Sequence, residues 1–452
     1  MSDLKRTELS VKQERAVLVG VILPESTADP RDPLGELASL AKTAGARVVG
    51  TLMQNRHSPD PGLYIGSGKA KEVAGLCKRL DANVVLFDND LSPAQIGGLE
   101  KVINTEAGST PNSPGIKVLD RSELILDIFA TRARTHEAKL QVELAQMQYT
   151  YPRLSRMWGH LDSLTGGGIG TRGPGETQLE TDRRLVRKRI GDLRDEINRI
   201  AERKTRLVAE RTRQHFTVCV VGYTNAGKST LFNTLTAAGT YADDKLFATL
   251  DTKTRAWKLE RGTEVLLSDT VGFVRDLPHN LVASFKATLE EAVHADLLLH
   301  VLDVGHPHAR QQYDTVHQVL KDLDVKDEQG HAKPEILLLN KTDTDEAEHQ
   351  SHTWKALHPD SIAISAKTGK GLAELAEAVF RFVRGQQLEA VLVMPVTDGR
   401  LISFIESHTR VRDRAFEDNN VVFTVELGKK TLADLTRNPG LEIRSTRHGL
   451  GW

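Results

Sequence analysis

The first residues of this chain whose types and spacing indicate a chemical function lie in a glycine-rich segment. It reads Gly222-Tyr223-Thr224-Asn225-Ala226-Gly227-Lys228-Ser229. This spacing is typical of a phosphate-binding loop when a buried strand precedes it and a helix follows. The apolar run 217–221 and a helical pattern after Ser229 supply that context. We therefore expect backbone N–H groups to surround phosphates, Lys228 to reach the β- and γ-phosphates, and the Ser229 hydroxyl to ligate Mg²⁺.

A second phosphate-facing motif, Asp269-Thr270-Val271-Gly272, ends another apolar run. Asp269 is expected to hold Mg²⁺ through water, and the Gly272 N–H to contact the γ-phosphate. Between the two motifs, the predicted first switch reads Phe247-Ala248-Thr249-Leu250-Asp251. Thr249 would ligate Mg²⁺ and sense the γ-phosphate, with Thr252 as the competing candidate. The predicted metal ligands are Ser229, Thr249 and Asp269, and the predicted catalytic residues are Lys228, Thr249 and Gly272.

Two further motifs predict which base is bound. They read Asn340-Lys341-Thr342-Asp343 and Ser365-Ala366-Lys367, and each follows an apolar run. The Asp343 carboxylate can accept hydrogen bonds from both N1–H and the exocyclic amine of guanine. Adenine offers neither donor, so it would leave that carboxylate unpaired at a cost of about 1–3 kcal/mol or more. With backbone N–H groups of 365–367 near guanine O6, we expect a guanine-nucleotide site.

Two residues beside the phosphate motifs bear on hydrolysis. Phe273 follows Gly272, where Ras-like proteins place a glutamine that orients the attacking water. Phenylalanine cannot make that hydrogen bond, so slow intrinsic hydrolysis and acceleration by a docked partner are expected. Asn225 has two interpretations: it helps bind a K⁺ that stabilises the transition state, or it merely shapes the loop.

Two other groups of residues resemble sites but favour structural roles. Gly66-Ser67-Gly68-Lys69 lacks the first glycine and the final Ser or Thr of a phosphate loop, so it favours a turn that opens a helix. His306 and His308 flank a proline without nearby Cys or paired acidic ligands, which argues against a metal site there.

The pattern of apolar runs and helical stretches predicts an α/β multidomain protein built around a P-loop G-domain with a doubly wound, mostly parallel sheet. Strands are predicted at 16–23, 46–53, 82–88, 388–396 and 420–427, and helices at 33–44, 67–80, 398–407 and 431–437. The predicted domains are an N-terminal α/β domain (1–130), a helical hairpin linker with a glycine-rich loop (131–212), the GTPase domain (213–385) and a small C-terminal α+β domain (386–452).

The predicted hairpin has an apolar seam and a strongly basic second helix. Leu140, Leu144 and Met147 share one helical face, and Ile190, Leu193, Ile197, Ile200 and Leu207 recur at heptad-like spacing. A loop is predicted at 166–175. From Arg183 to Arg213, 12 basic residues face 5 acidic ones. This excess is typical either of a solvated helix face or of a surface that meets a phosphate-rich partner.

Length and composition limit the class of protein to which this chain can belong. The 452 residues exceed what one hydrophobic core usually organises, and 39% apolar with 27% charged residues is typical of a soluble globular protein. The two cysteines, Cys77 and Cys219, fall in a predicted helix and a predicted strand, so no disulfide framework is expected. The polar N-terminus and the short apolar runs predict a cytoplasmic protein without a membrane span. The oligomeric state stays open, with a monomer as one option.

With the motifs placed, the chain resembles the HflX family of the Obg–HflX group of translation-factor-class GTPases. Beyond the nucleotide motifs, the resemblance rests on four features. They are the segment 59–69, the Asp120-Arg121 pair before 124–129, the segment 173–177, and the Thr254-Arg255 pair after the first switch. With the nucleotide motifs included, the resemblance covers roughly residues 15–385.

The resemblance implies an N-terminal domain and helical hairpin that bind the large ribosomal subunit. It also implies GTP hydrolysis stimulated by ribosomes, and a role in separating stalled ribosomes under stress. A GTP-dependent signalling switch that recruits protein partners is the alternative. A third interpretation is an RNA-remodelling nucleotidase that also uses ATP, in which ATP turnover would survive loss of Asp343.

Overall fold

The computed structural model describes most of the chain, and its residues cluster into two compact units. The first unit runs to Ala201 and also takes in Phe247 and the pair Val274-Arg275; the second holds the remaining described residues. The described residues are 14–24, 32–108, 115–153, 174–236, 247, 252–259, 263–275, 291–326, 330–385, 387–428, 431–432, 435–436, 438 and 440–448.

The first unit is built on a parallel sheet with the strand order β2-β1-β3-β4. Its strands are β1 (Arg15–Ile22), β2 (Arg47–Asn55), β3 (Val84–Phe87) and β4 (Lys117–Leu119), and its first helices are α1 (Gly35–Thr43), α2 (Ser67–Leu80), α3 (Pro93–Ala107) and α4 (Arg121–Arg132). The predicted strands β1 to β3 and helices α1 and α2 are confirmed. Gly66 caps α2, as predicted for the turn that opens this helix. Helices α3 and α4 were not predicted.

A buried cluster of two arginines and two carboxylates lies in the first unit. The Arg121 guanidinium, 1% exposed, contacts Asp88 at 2.6 Å and Glu36 at 2.9 Å. Arg275 contacts the other Asp88 oxygen at 2.8 Å, and its carbonyl accepts a hydrogen bond from Arg121. Burial raises the pKa of Asp88, although both arginines act to lower it. Each buried charge therefore depends on the others for compensation.

Two further helices of the chain form the predicted hairpin. They are α5 (His136–Thr150) and α6 (Pro174–Gln214). The predicted seam is confirmed, with Leu140, Leu144 and Leu193 buried and Met147, Ile190, Ile197 and Ile200 packed against them. Helix α6 begins at Pro174, so the predicted loop at 166–175 was two residues too long. Proline suits a first helical position because that N–H has no intrahelical partner. Residues 166–173 and the Leu207 side chain lie outside the described residues.

The second unit contains a six-stranded sheet with the order β10-β9-β8-β5-β7-β6. Its strands are β5 (Thr217–Gly222), β6 (Lys253–Lys258), β7 (Glu264–Asp269), β8 (Leu297–Asp303), β9 (Glu335–Asn340) and β10 (Ile362–Ala363). Edge strand β6 pairs antiparallel to β7, and the other pairs are parallel. The predicted mostly parallel, doubly wound sheet is confirmed. Cys219 lies in β5, and Cys77 lies in α2, as expected.

Helices cover both faces of this sheet. They are α7 (Lys228–Leu235), α8 (Ala309–Asp322), α9 (Asp345–Leu357) and α10 (Leu372–Gly385). Val218, Leu299 and Val301 pack with α7 and α10 in one apolar cluster. On the other face, Leu302 and Leu339 pack with α8 and α9. Strands buried on both sides carry almost continuous apolar runs, which is why these segments were recognisable in the sequence.

A third sheet lies in the C-terminal part of the second unit. It is antiparallel, with the order β12-β13-β11-β14, and comprises β11 (Gln387–Pro395), β12 (Arg410–Glu417), β13 (Asn420–Gly428) and β14 (Glu442–His448), with helix α11 (Gly399–His408). Strands β11 and β13 and helix α11 are confirmed, whereas β12 and β14 were not predicted. The boundaries of the four predicted domains stay predictions. No helix within the described part of the chain combines the length and apolar composition needed to cross a bilayer.

Candidate nucleotide-binding site

The phosphate and base motifs meet at one edge of the six-stranded sheet. They follow strands β5, β7, β9 and β10, which are mutually parallel and therefore end at the same edge. Parallel α/β sheets bind ligands in the crevice outside these carboxyl ends. The tertiary structure thus brings together motifs that are up to about 140 residues apart in the sequence.

Glycine is required at both ends of the phosphate loop. Gly222 has φ +150°, and a Cβ there would lie 2.4 Å from the Val301 carbonyl oxygen. Gly227 has φ +100°, and a Cβ there would lie 2.2 Å from the Asn340 amide nitrogen. Only glycine fits such close approaches at a positive φ. Asn225 adopts φ +61°, a left-handed conformation that asparagine tolerates better than most residues.

The predicted phosphate-binding and metal-binding side chains lie side by side at the start of α7. Lys228 is buried, and its Nζ donates to the Tyr223 carbonyl across the loop at 2.6 Å. Burial lowers the pKa of Lys228 to about 8, against the attraction of Asp269. The Ser229 hydroxyl donates to Asp269 Oδ2 at 2.9 Å. The loop therefore presents an ammonium group next to a hydroxyl–carboxylate pair.

Asn340 joins the phosphate loop to the last base motif. Its amide nitrogen donates to the Ala226 carbonyl at 2.7 Å, and its amide oxygen accepts from the Ala366 N–H at 3.0 Å. Asn340 is only 1% exposed. A single side chain therefore satisfies one buried group on each of two loops, so its role is to position them.

The base motif at 340–343 presents an exposed carboxylate. Asp343 is exposed, and its Oδ1 accepts a hydrogen bond from the buried Ser365 hydroxyl at 3.0 Å. The Thr342 hydroxyl donates to the Ile364 carbonyl at 2.9 Å. These bonds fix the carboxylate between the two motifs while it still faces solvent, where it can accept from a base.

Asp303 belongs to the same edge but was not predicted. It ends β8 and contacts the Lys341 ammonium at 2.7 Å. Lys341 has φ +67°, so the ion pair also holds an unusual backbone conformation. The signal was present in the sequence, because Asp303 follows a long apolar strand in the same way as Asp269 and Asn340 do.

The backbone of Phe273 is tied to the phosphate loop. Its N–H donates to the Gly222 carbonyl at 3.2 Å, and its carbonyl accepts from the Thr224 N–H at 2.7 Å. The side chain is 5% exposed. Gly272, one residue earlier, approaches Lys228 so closely that a Cβ there would lie 2.8 Å from Nζ. The second phosphate motif therefore packs directly on the first.

Of the predicted first switch, residues 247–251, the structure describes only Phe247. Phe247 is buried in the first unit with φ +55°, and its ring packs edge-on against Phe129 at 4.5 Å. Ala248, Thr249, Leu250 and Asp251 lie outside the described residues. Thr252, the competing candidate for the threonine role, immediately precedes β6.

Replacing Asn340 with alanine is expected to destabilise the second unit by at least about 2 kcal/mol. The change leaves the Ala226 carbonyl and the Ala366 N–H without their shared partner, and each buried unpaired group costs about 1–3 kcal/mol. Urea unfolding of the nucleotide-free chain, followed by fluorescence of the buried Trp257 and Trp354, measures the effect. Gln350→Ala, on an exposed face of α9, is the control. Equal stability of the two variants would contradict the positioning role.

Comparison with known protein families identifies the chain. Four family models match it in succession: GTP-binding GTPase N-terminal at 31–130, GTP-binding GTPase Middle Region at 132–211, 50S ribosome-binding GTPase at 217–341, and HflX C-terminal domain at 353–448. The GTPase HflX of Escherichia coli (strain K12) is 42% identical over 417 residues, covering 92% of this chain and 93% of that protein. The chain belongs to the HflX family. It is accordingly a GTPase that binds GTP and hydrolyses it.

A further sequence relative matches this chain over nearly its whole length at a similar sequence identity. The GTPase HflX of Alkalihalophilus pseudofirmus is 39% identical over 428 residues, covering 94% of this chain and 95% of that protein. Among solved structures, a GTP-binding protein from the hyperthermophilic archaeon Sulfolobus solfataricus in complex with GDP is similar at 23% identity. It covers 82% of this chain and 98% of its own, with a TM-score of 0.42. The HflX assignment therefore rests on the family models and the sequence relatives.

Proposed function

We propose that this HflX-family GTPase works in the cytoplasm on the large ribosomal subunit, and that its GTP cycle helps to separate stalled ribosomes under stress. The observation that carries the proposal is the set of exposed basic side chains distributed along α6: Arg184, Arg187, Lys188, Arg189, Arg194 and Arg199. Such a basic surface attracts a phosphate-rich partner most strongly. The family model matched at 217–341, described as a 50S ribosome-binding GTPase, supports the same partner.

In the proposed cycle, GTP binds with Mg²⁺. The donor set at the phosphate loop fits the ion, because the Ser229 hydroxyl and the Asp269 carboxylate are oxygen ligands of the kind that Mg²⁺ prefers, and they lie 2.9 Å apart. Thr249 is the proposed third ligand. When bound, Mg²⁺ neutralises charge on the β- and γ-phosphates. Lys228 adds positive charge there, the Gly272 N–H contacts the γ-phosphate, and Asp343 selects guanine. Asn225 stays a candidate K⁺ ligand.

Hydrolysis is proposed to depend on the ribosome. The residue after Gly272 is a phenylalanine, which cannot orient water, and its buried backbone is tied to the phosphate loop. A group supplied by the docked partner would complete the site, as an added catalytic residue does in other GTPases. Turnover by the isolated chain is therefore expected to be slow and to rise when large subunits are added.

Charge reversal on α6 tests the ribosomal partner. The triple variant Arg184→Glu, Lys188→Glu, Arg194→Glu is expected to weaken co-sedimentation with large subunits in the presence of a GTP analogue. Each lost phosphate contact lowers the slope of log affinity against log salt concentration by about 0.7–0.9, so the slope should fall by about 2 to 3. Stimulation of GTP turnover by the subunits should fall in parallel.

The matched control reverses three exposed basic residues elsewhere, in Arg310→Glu, Lys321→Glu, Lys326→Glu. This variant has the same net charge as the α6 variant but keeps the α6 surface. Loss of sedimentation in the control alone, or equal loss in both, would contradict a docking role for α6. A signalling switch is the alternative: the wild-type chain would then bind protein partners in a GTP-dependent manner and fail to sediment with ribosomal subunits.

A further inference from the structure

A cluster of two histidines and one glutamate lies on the sheet face that packs against α8, apart from the nucleotide motifs. His300 comes from β8, His317 from α8 and Glu335 from β9. The Glu335 carboxylate bridges both rings, with Oε1 2.9 Å from His300 Nδ1 and Oε2 3.1 Å from His317 Nε2. One potential ligand atom from each residue lies within 4.8 Å of the others. Three elements of the GTPase domain therefore meet at these three side chains.

The hydrogen-bond partners of His317 do not suit a neutral ring. Its Nδ1 lies 3.0 Å from the Tyr313 carbonyl, which can only accept, and its Nε2 faces an ionised carboxylate, which also only accepts. A neutral imidazole has one N–H and cannot donate to both. Either the ring carries a second proton, or a cation lies between Nε2 and Glu335. A bond from Nδ1–H to a carbonyl is how metal-ligating histidines are commonly oriented.

One ring nitrogen of His300, Nδ1, faces the Glu335 carboxylate of the cluster. The residue is fully buried, its ring stacks on Tyr313, and Nε2 has no hydrogen-bond partner among the described residues. The polar interaction of this ring is therefore made through Nδ1, which faces Glu335.

We propose that His300, His317 and Glu335 bind one divalent transition-metal ion, with Zn²⁺ as the best match. Two imidazoles and a carboxylate are ligands of zinc, at about 2.0–2.2 Å from the ion. Ligands of one tetrahedral ion at that radius lie roughly 3.3 Å apart. One potential ligand atom from each of the three residues lies within 4.8 Å of the others, so small side-chain shifts would close the set around an ion. His317 has 38% of its side chain exposed, so the fourth position opens to water. The ion would link α8 to β8 and β9.

The competing arrangement is a metal-free one in which His317 is an imidazolium. Burial acts to raise the pKa of Glu335, but hydrogen bonds from both histidines outweigh it and lower the pKa to about 2. The hydrogen bond to Glu335 raises the pKa of His317. Burial lowers the pKa of His300. Both arrangements place a positive charge beside the Glu335 carboxylate, so metal uptake decides between them.

Metal titration of the full, tag-free chain tests the proposal. With GDP and Mg²⁺ filling the nucleotide site, isothermal calorimetry with Zn²⁺ is expected to give one tight equivalent. Co²⁺ should give the visible absorption bands of tetrahedral coordination. Because loss of a single outer partner of a metal ligand costs 10- to 100-fold in affinity, Glu335→Gln and His317→Gln are expected to weaken Zn²⁺ binding at least about a hundredfold. Zn²⁺ should also raise the melting temperature of the wild-type chain but not of these variants.

His352→Gln, an exposed histidine of α9, is the matched control and should bind Zn²⁺ like the wild type. All variants are expected to bind GDP normally, which verifies that the GTPase domain is folded. Should Glu335→Gln prevent folding, His317→Gln at its half-exposed position carries the test. Absence of Zn²⁺ and Co²⁺ uptake by the wild type, or equal uptake by His317→Gln and the control, would overturn the proposal in favour of an imidazolium–carboxylate pair.

Discussion

Replacing Asp343 with asparagine is expected to lower the affinity for GTP and GDP at least about a hundredfold and to create affinity for xanthine nucleotides. In the proposed site the carboxylate accepts from guanine N1–H and from the exocyclic amine, and hydrogen bonds to charged groups contribute about 1.5–3 kcal/mol each. An asparagine amide would place its NH₂ against the guanine amine. Xanthine has a carbonyl in that position, so the new NH₂ can donate to it. Competition calorimetry with GDP and xanthosine diphosphate measures both affinities.

The control for this change is Asp345→Asn, two residues along the chain. It makes the same chemical substitution at an exposed carboxylate in the first turn of α9, outside the base motifs. Its nucleotide affinities should equal those of the wild type. An Asp343→Asn variant that still prefers GDP over the xanthine nucleotide would refute the guanine-reading role. ATP turnover that survived the change would favour the RNA-remodelling nucleotidase.

Replacing Arg121 with alanine is expected to destabilise the first unit by about 3 kcal/mol. Breaking a buried ion pair by removing one partner costs about 3–5 kcal/mol, because the other charge stays buried without compensation. The lower end of this energy range applies to Arg121→Ala, because Arg275 still contacts Asp88. Burial already raises the pKa of Asp88, and loss of Arg121 raises it further. The penalty should therefore shrink as pH falls and Asp88 becomes protonated.

Hydrogen–deuterium exchange of peptides from α4 measures this effect within the full chain. A loss of about 3 kcal/mol corresponds to exchange roughly 100-fold faster when amides exchange through opening of the unit. Lys101→Ala, an exposed residue of α3, removes a positive charge without touching the buried cluster and should leave exchange unchanged. If Arg121→Ala behaves like this control, the cluster contributes no net stability.

Apolar runs explain which elements could be predicted. Strands β1, β5, β8 and β9 are covered on both faces, so nearly every position is apolar and the signal is strong. Strands β6, β12 and β14 read KTRAWK, RVRDRAFE and EIRSTRH, in which charged and other polar residues together form the majority. Strand β12 is almost entirely exposed on its edge of the sheet. Such segments become strands because a neighbouring strand satisfies their backbone groups, and that information lies outside the segment itself.

The amino-acid order by itself determined the chemistry of the nucleotide motifs, because each is a contiguous run whose residue types act through the adjacent strand end. It determined the apolar seam of the hairpin for the same reason, since helical spacing is local. Only the tertiary structure decided which distant side chains meet. Asn340 links two loops, Asp303 pairs with Lys341, and Glu335 lies between two histidines. These contacts depend on strand order and register, which place residues far apart in the sequence within hydrogen-bonding distance.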